Sequence, residues 1–255
     1  MRTNHKFFLN LAFQIAEKNL GQTGQNPSVG SIVVKNNTVI SSGVTSTSGR
    51  PHAEYNALKK IKIASGSILY TSLEPCIHQG KTPPCTDIII KKKIKTVVFG
   101  LEDPDPRTFK KAKKILKTKG IKTKLIKSKK YNNFYRSYLV NKKFKIPFIS
   151  AKIAISKDYF TINKKEKWIT NIFSRKITHL IRSKHDGIIS TSNSINLDNA
   201  LLNCRIKGFN EYKPDLFIID LNLKLKKKLL LNKILKKRKM DYKYLFKKSF
   251  SFSKI

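Results

Sequence analysis

Residues 72–90 read SLEPCIHQGKTPPCTDIII and hold two of the chain's three cysteines, Cys76 and Cys85, each directly after a proline. Eight residues lie between them. That interval is too long for the two-residue knuckle of a structural zinc site, so a third ligand must come from elsewhere. His52 in PHAEYNAL (51–58) is the candidate donor. One imidazole and two thiolates fill three positions of a tetrahedral Zn2+ and leave the fourth to water, which is the plan of a catalytic site. The run after Pro84 reads as a helix opened by Cys85, where the positive end of the helix dipole favours the thiolate that zinc needs. Glu54, two residues after His52, is placed to carry protons without ligating. It can accept one from the attacking water and deliver one to departing ammonia, the proton economy of hydrolytic deamination of a nitrogen heterocycle.

Outward from this stretch, short apolar runs alternate with helical patterns. Phe7, Phe8, Leu11, Ile15 and Ala16 recur at helical spacing between Asn4 and Gly21. VGSIVV (29–34) and TVISSG (38–43) flank Lys35, Asn36 and Asn37, a hairpin signal, because asparagine tolerates the left-handed backbone of a tight turn. PHAEYNALKKI (51–61) reads as a helix begun by Pro51, SILYTSL (67–73) as a buried strand, and PPCTDIIIKKK (83–93) as a helix. TVVFG (96–100) is a strand, 108–119 a helix and IKTKLI (121–126) a strand, so the expectation is a three-layered α/β/α domain over residues 1–145. A basic helical segment at about 129–145 leads to Pro147, where PFISAKIAIS (147–156) reads as the first strand of a second α/β unit, 146–221. There 171–184 reads as helix, and DGIISTS (186–192) and PDLFIIDL (214–221) as strands. The lysine-rich remainder, 222–255, is either a basic amphipathic helix or a poorly ordered tail.

The formal net charge of +39 comes from 54 Lys plus Arg against 15 Asp plus Glu. The excess is almost all lysine, spread along the chain among abundant Asn and Ile. A nucleic-acid footprint would cluster on one face and favour arginine, so solvated lysines without such a partner are the reading. Three cysteines at scattered spacing make no disulfide framework, which implies a reducing compartment and a cytoplasmic protein. Asn10, Gln14 and Glu17 interrupt the apolar N-terminal run, and no stretch approaches the ~20 apolar residues that span a bilayer. The expectation is therefore a soluble chain with no signal peptide and no membrane partner.

NPSVGSIVV (26–34), PHAEYNAL, the 72–90 stretch and EDPDP (102–106) resemble, in order, the deaminase domain of the bifunctional riboflavin-biosynthesis deaminase/reductase family. The resemblance covers about residues 1–145, and the long cysteine interval with HQGKTPPC (78–85) sets it apart from cytidine and tRNA adenosine deaminases. It implies a cytidine-deaminase-like fold and a small phosphorylated pyrimidine substrate, 2,5-diamino-6-(5-phosphoribosylamino)pyrimidin-4(3H)-one, converted to 5-amino-6-(5-phosphoribosylamino)uracil and ammonia. By the same resemblance Asn26 reads the pyrimidine, His78 and Lys81 meet the substrate with Lys81 offering a point charge to its phosphate, and Asp103 makes a further contact. Asn26 before Pro27 also fits a plain turn residue, and Lys81 an ordinary surface lysine. The pattern departs after Asp103, where Asp105 and RTFKKAKK (107–114) replace an asparagine and a glycine-containing loop. His5, His179 and His185 have no partner that the sequence assigns.

PFISAKIAISKDYF (147–160), KWITN (167–171), HDGIISTSNSINLDNALLNCR (185–205) and PDLFIIDL resemble the first half of the family's reductase domain, a dihydrofolate-reductase-like fold that uses NADPH. Trp168, Thr170, Asp198, Leu202 and Arg205 are positions that match the family, and the resemblance implies cofactor binding at Trp168, Thr170, Asp198 and Arg205, with Asp198 and Arg205 as the polar contacts. The Ser-Leu-Asp-Gly turn is here Ser156, Lys157, Asp158 and Tyr159, and a lysine-rich run stands where the family continues. Losing that glycine removes a backbone conformation open to it. Cys204 reads as a small buried apolar residue. The resemblance thus implies a partial reductase domain, either a structural or dimer-forming remnant in a homo-oligomer or one completed by a separate reductase chain. The leading function is the zinc-dependent deaminase. The alternatives are a bifunctional enzyme that also reduces the ribosyl group with NADPH, and an RNA-binding protein on a decayed deaminase fold, which the charge favours and the intact His52, Glu54, Cys76 and Cys85 oppose.

Overall fold

The computed structural model describes residues 3–161, 168–207, 214–232 and 243–245. Contacts divide the chain into two compact units, residues 1–150 and 151–255. In the first, Asn36 and Asn37 take φ of 49° and 60°, the left-handed two-residue turn whose twist matches a hairpin. It joins β1 (Gly30–Lys35) to β2 (Thr38–Val44) in antiparallel register, with Lys35 opposite Thr38. β3 (Ile68–Thr71) pairs antiparallel with β1, and β4 (Thr96–Phe99) and β5 (Lys122–Leu125) continue parallel, so the order is β2-β1-β3-β4-β5.

Side chains alternate across these strands with period two. Ile32 and Val34 of β1, Tyr70 of β3 and Val98 of β4 face one cluster with Phe8, Leu9, Phe13, Tyr131 and Tyr135. Val33, Leu69, Val97 and Phe99 face the other with Ala57, Leu58, Ile89 and Leu116. Consequently α1 (His5–Ala16), α5 (Lys129–Phe134) and α6 (Arg136–Phe144) cover one face, and α2 (Ala53–Leu58), α3 (Cys85–Lys91) and α4 (Lys111–Thr118) the other. This is the three-layered α/β architecture that the alternation of elements implies. Among the described residues no helix is long and apolar enough to cross a membrane.

Asn4 caps α1, its side chain accepting from the Phe7 amide at 3.0 Å. The buried face differs from the expected one. Phe8, Leu9, Ala12, Phe13 and Ala16 are buried, Leu11 and Ile15 only partly so, and Phe7 is exposed. The cause is the distance of approach: a Cβ on Gly30 of β1 would lie 2.0 Å from the Ala12 carbonyl oxygen, so the helix turns its two alanines to the sheet. Phe13 then stacks on Tyr131 with ring centroids 4.1 Å apart, tying α1 to α5.

The second unit holds α7 (Ile172–Ser183), β6 (Gly187–Thr191), α8 (Ser192–Asp198), β7 (Asp215–Ile219) and β8 (Lys243–Leu245). The strands form a parallel sheet in the order β6-β7-β8. Two expectations change here. Residues 147–156 form no strand, and Ile149 and Ile153 are exposed: a strand needs a neighbour for its backbone groups, and this segment pairs with none of the described strands. Within 222–255, Leu229 and Leu231 join the core around Ile195 and Ile218, β8 adds a strand, and residues 233–242 and 246–255 lie outside the described residues.

Gly30→Ala is expected to force α1 off the sheet and to lower stability by about 3 kcal/mol, as overpacking of a filled interior does. A urea titration of the variant against the parent chain checks this.

Candidate active site

Parallel pairing sends the loops after β3 and β4 off the same edge of the sheet, and at that edge the chemistry collects. His52 precedes the first turn of α2 in extended backbone, Glu54 sits inside that turn, Cys76 lies in the loop after β3, and Cys85 opens α3 behind Pro84. His52 Nδ1 is 3.5 Å from Cys76 Sγ and 3.4 Å from Cys85 Sγ, and the ligand atoms of His52, Cys76 and Cys85 lie within 4.8 Å of one another. Tetrahedral zinc, with its usual bond lengths, sets a nitrogen and a sulfur about 3.6 Å apart. One imidazole and two thiols at those spacings therefore fit Zn2+ in donor type and in size.

The electrostatics fit a cation as well. The hydrogen bond from the Cys85 thiol, with others from His52 and the Cys85 amide at 3.3 Å, pulls Cys76 down to about 4. That same shared hydrogen bond, together with burial, pushes Cys85 up. Two sulfurs sharing one proton make a site in which a metal ion can take the proton's place. The Glu54 carboxylate is buried 3.5 Å from Cys85 Sγ, and burial pushes it up to about 7. A carboxyl group in that range both takes and returns protons near neutral pH.

Asn26, His78 and Asp103 line the same cleft as His52, Glu54 and Cys76. Lys81 is exposed and outside that lining. Asn26 Nδ2 donates to the Gly49 carbonyl at 3.2 Å. Gly49 has φ +91°, and a Cβ there would sit 2.4 Å from Asn26 Nδ2, so the glycine is what lets Asn26 settle. His78 Nδ1 is 3.3 Å from Thr108 Oγ1. Asp103 Oδ1 accepts from the Asp105 amide at 3.0 Å and from the Tyr138 hydroxyl at 2.9 Å.

Several residues of the cleft escape a motif search. Glu74 is buried, and its carboxylate accepts from the amides of Asp103 at 3.2 Å, Lys110 at 3.1 Å and Ala112 at 3.2 Å. It does for α4 what a cap would, since Lys110 at the cap position, φ 57°, makes no side-chain hydrogen bond to the helix. A carboxylate inside the apolar SLEPC run was the available signal. Arg50 bonds Thr82 Oγ1 and lies against Gly80, bracing the cysteine loop. In the departing segment, Asp105 accepts from Arg107 Nε at 2.9 Å and Nη2 at 2.7 Å and from Lys142 Nζ at 3.2 Å. The Arg107 hydrogen bonds foremost hold its carboxyl well below the usual range. Arg107 and Lys142 line the cleft too.

In the second unit, the Arg175 guanidinium lies 4.5 Å from the centre of the Trp168 ring and also donates to the Thr170 carbonyl at 3.1 Å. Asp198 ends α8 and is exposed, Leu202 is partly buried, and exposed Arg205 donates to Asn203 Oδ1 at 3.1 Å. Cys204 is buried, its thiol donating to the His179 carbonyl at 3.3 Å. The histidines left unassigned have partners: His5 Nδ1 meets the Tyr70 hydroxyl at 2.8 Å, His179 Nδ1 the Asn203 carbonyl at 3.1 Å and His185 Nδ1 the Ile181 carbonyl at 2.8 Å.

Residues 2–101 match the model of the cytidine and deoxycytidylate deaminase zinc-binding region. The riboflavin biosynthesis protein RibD of Aquifex aeolicus is 34% identical over 227 residues, 86% of this chain and 63% of that protein. RibD of Buchnera aphidicola subsp. Baizongia pistaciae is 38% identical over 209 residues, 80% of this chain and 56% of that one. The solved diaminohydroxyphosphoribosylaminopyrimidine deaminase/5-amino-6-(5-phosphoribosylamino)uracil reductase of Thermotoga maritima is 30% identical with a TM-score of 0.80, covering 95% of this chain and 69% of that one. The chain belongs to the RibD family of riboflavin biosynthesis proteins. Acinetobacter baumannii RibD, form 1, is similar at a TM-score of 0.81 and 26% identity. The fold is thus the RibD fold with a cytidine-deaminase-like first unit and a partial reductase part, and the chain spans little more than half the length of the curated relatives it matches.

Purified with zinc, the parent chain is expected to carry one equivalent of the metal, and Cys85→Ser and His52→Ala to carry less than about a tenth of it, because each change removes one of only three protein donors. Metal analysis with circular dichroism on the same samples separates ligand loss from unfolding.

Proposed function

We propose that the first unit is a zinc-dependent hydrolase of riboflavin biosynthesis that deaminates 2,5-diamino-6-(5-phosphoribosylamino)pyrimidin-4(3H)-one to 5-amino-6-(5-phosphoribosylamino)uracil, consuming water and releasing ammonia. The observation that carries the reading is the buried Glu54 carboxylate beside the His52, Cys76 and Cys85 donor set. Membership of the RibD family supports it. His52, Cys76 and Cys85 would hold the zinc, which when bound supplies the Lewis acidity that makes water a nucleophile at neutral pH.

The chain's own groups do the rest. Glu54 takes a proton from the attacking water as the new C–O bond forms and gives it to the ring nitrogen, then takes the remaining hydroxyl proton and gives it to the amino group, so that the carbonyl forms as the C–N bond breaks and ammonia leaves. Its burial raises the carboxyl above the usual carboxylate range, which favours a group that holds a proton between the two transfers. Asn26 spends its amide N–H on Gly49, which leaves its carbonyl oxygen as the acceptor for a ring N–H or exocyclic amine. Asp103, braced by Tyr138 and the Asp105 amide, presents a second acceptor, and His78 lies on the wall beside Thr108. The reductase activity with NADPH stays outside this proposal, because donor set, buried acid and substrate-side residues all belong to the first unit.

Ammonia release from the phosphorylated diaminopyrimidine is expected from the zinc-loaded chain. Glu54→Gln is expected to retain zinc and lose about 1,000-fold in kcat, the scale of a positioned proton carrier. No release from folded, zinc-loaded parent chain would overturn the assignment. Tight, steeply salt-dependent RNA binding by a zinc-free preparation would move it to the RNA-binding alternative.

A further inference from the structure

Arg107 Nη2 and Lys142 Nζ converge on a single oxygen, Oδ2 of Asp105, at 2.7 Å and 3.2 Å. Arg107 Nε adds a bond to Oδ1 at 2.9 Å, so the carboxylate sits in the guanidinium fork. Two cations thus share the Asp105 carboxylate. Of the five N–H donors of a guanidinium, two are used here, and the ammonium keeps further donors as well. The Arg107 side chain is 62% exposed and that of Lys142 25%, and both line the cleft that holds Glu54. Side-by-side cations within reach of one oxygen atom, with donors beyond those given to Asp105, have the chemistry that takes a phosphoryl group.

Of the other charged groups of the cleft, Glu74 accepts from three amides and Asp103 from the Asp105 amide and the Tyr138 hydroxyl. Arg50 gives one N–H to Thr82 on the cysteine loop, whereas Arg107 and Lys142 are the two cations that meet at one atom. Lys81, the residue that family resemblance assigns to the phosphate, is outside the lining. We propose that Arg107 and Lys142 form the seat for the terminal phosphate monoester of the substrate, with Asp105 as the positioning residue that holds the two cations together. This rests on the deaminase reading. It makes the segment that departs from the family pattern a relocated phosphate site of this chain.

Arg107→Gln, Lys142→Gln and the double variant test it, with Lys143→Gln, an exposed neighbour outside the cleft lining, as the control for charge alone. Each single change is expected to raise KM for the phosphorylated substrate about tenfold and the double change about a hundredfold, the scale of a charge-assisted contact to phosphate. The dephosphorylated riboside is expected to show a far smaller shift, and Lys143→Gln to leave both substrates at parent values. Equal shifts on the two substrates, or no shift in the double variant, would overturn the seat while leaving the deaminase standing. Calorimetric titration of the zinc-loaded chain with ribose 5-phosphate reads the seat without turnover. Binding that the double variant loses supports it even if the parent chain releases no ammonia, an outcome that sinks the deaminase reading alone. Absence of ribose 5-phosphate binding to the parent chain, or its displacement by an oligouridylate without terminal phosphate at lower concentration, counts against a monoester seat.

Discussion

The site depends on one buried carboxylate. Glu74 leaves β3 and accepts hydrogen bonds from Asp103 in the loop after β4 and from Lys110 and Ala112 at the start of α4. A carboxylate taken out of water costs several kcal/mol unless its lone pairs are filled, and burial does push this one upward. Three amides fill them, so the loops after β3 and β4 are fixed relative to each other by an interaction that neither can abandon cheaply. The cysteine loop and the Asp103–Arg107 segment stand on the two sides of that tie. Without it the Cys76 side of the His52, Cys76 and Cys85 cluster and the Asp103 and Asp105 carboxylates would answer to separate loops.

The long cysteine interval makes sense against this frame. A two-residue knuckle would hold its thiols by local geometry alone, whereas here Cys76 and Cys85 are placed by different elements, a strand exit and a helix start. Pro75 and Pro84 restrict the backbone directly before each sulfur. The residues between are then available for the cleft wall: His78 reaches Thr108, and Thr82 takes the Arg50 guanidinium. Length that would loosen a structural site gives this one a wall.

How much of this was legible follows the range of the interactions. The hairpin at Asn36 and Asn37, the cap at Asn4 and the donor set of His52, Cys76 and Cys85 rest on local backbone preference or on residue chemistry, and each can be read from a few letters. The face of α1 could not, because apolar residues run nearly around the helix and only the contact of Ala12 with Gly30, far apart in the chain, decides which side is buried. Residues 147–156 alternate as a strand does and yet lack a neighbour, which no pattern in the segment itself reveals. Glu74 was visible as a letter in SLEPC, but its three donors lie 29 to 38 residues away. Arg107 stands in the stretch that departs from the family pattern, and its fork onto Asp105 depends on turn geometry that ends before α4 begins.

Charge shows the same separation between amount and position. A chain with 54 basic residues could have lined its cleft with lysine by abundance alone. Eight of the 54 are arginine, yet the three Lys or Arg side chains lining the cleft are Arg50, Arg107 and Lys142. A planar fork satisfies two acceptor atoms at once and loses less freedom per bond than an ammonium on a flexible stem. Arg107 uses that fork on both oxygens of Asp105, while Lys142 supplies a single contact to one. The exposed lysines among the described residues are surface charge that salt screens within about 10 Å. What the cleft selects is donors held in fixed directions, and the +39 total carries no information about them.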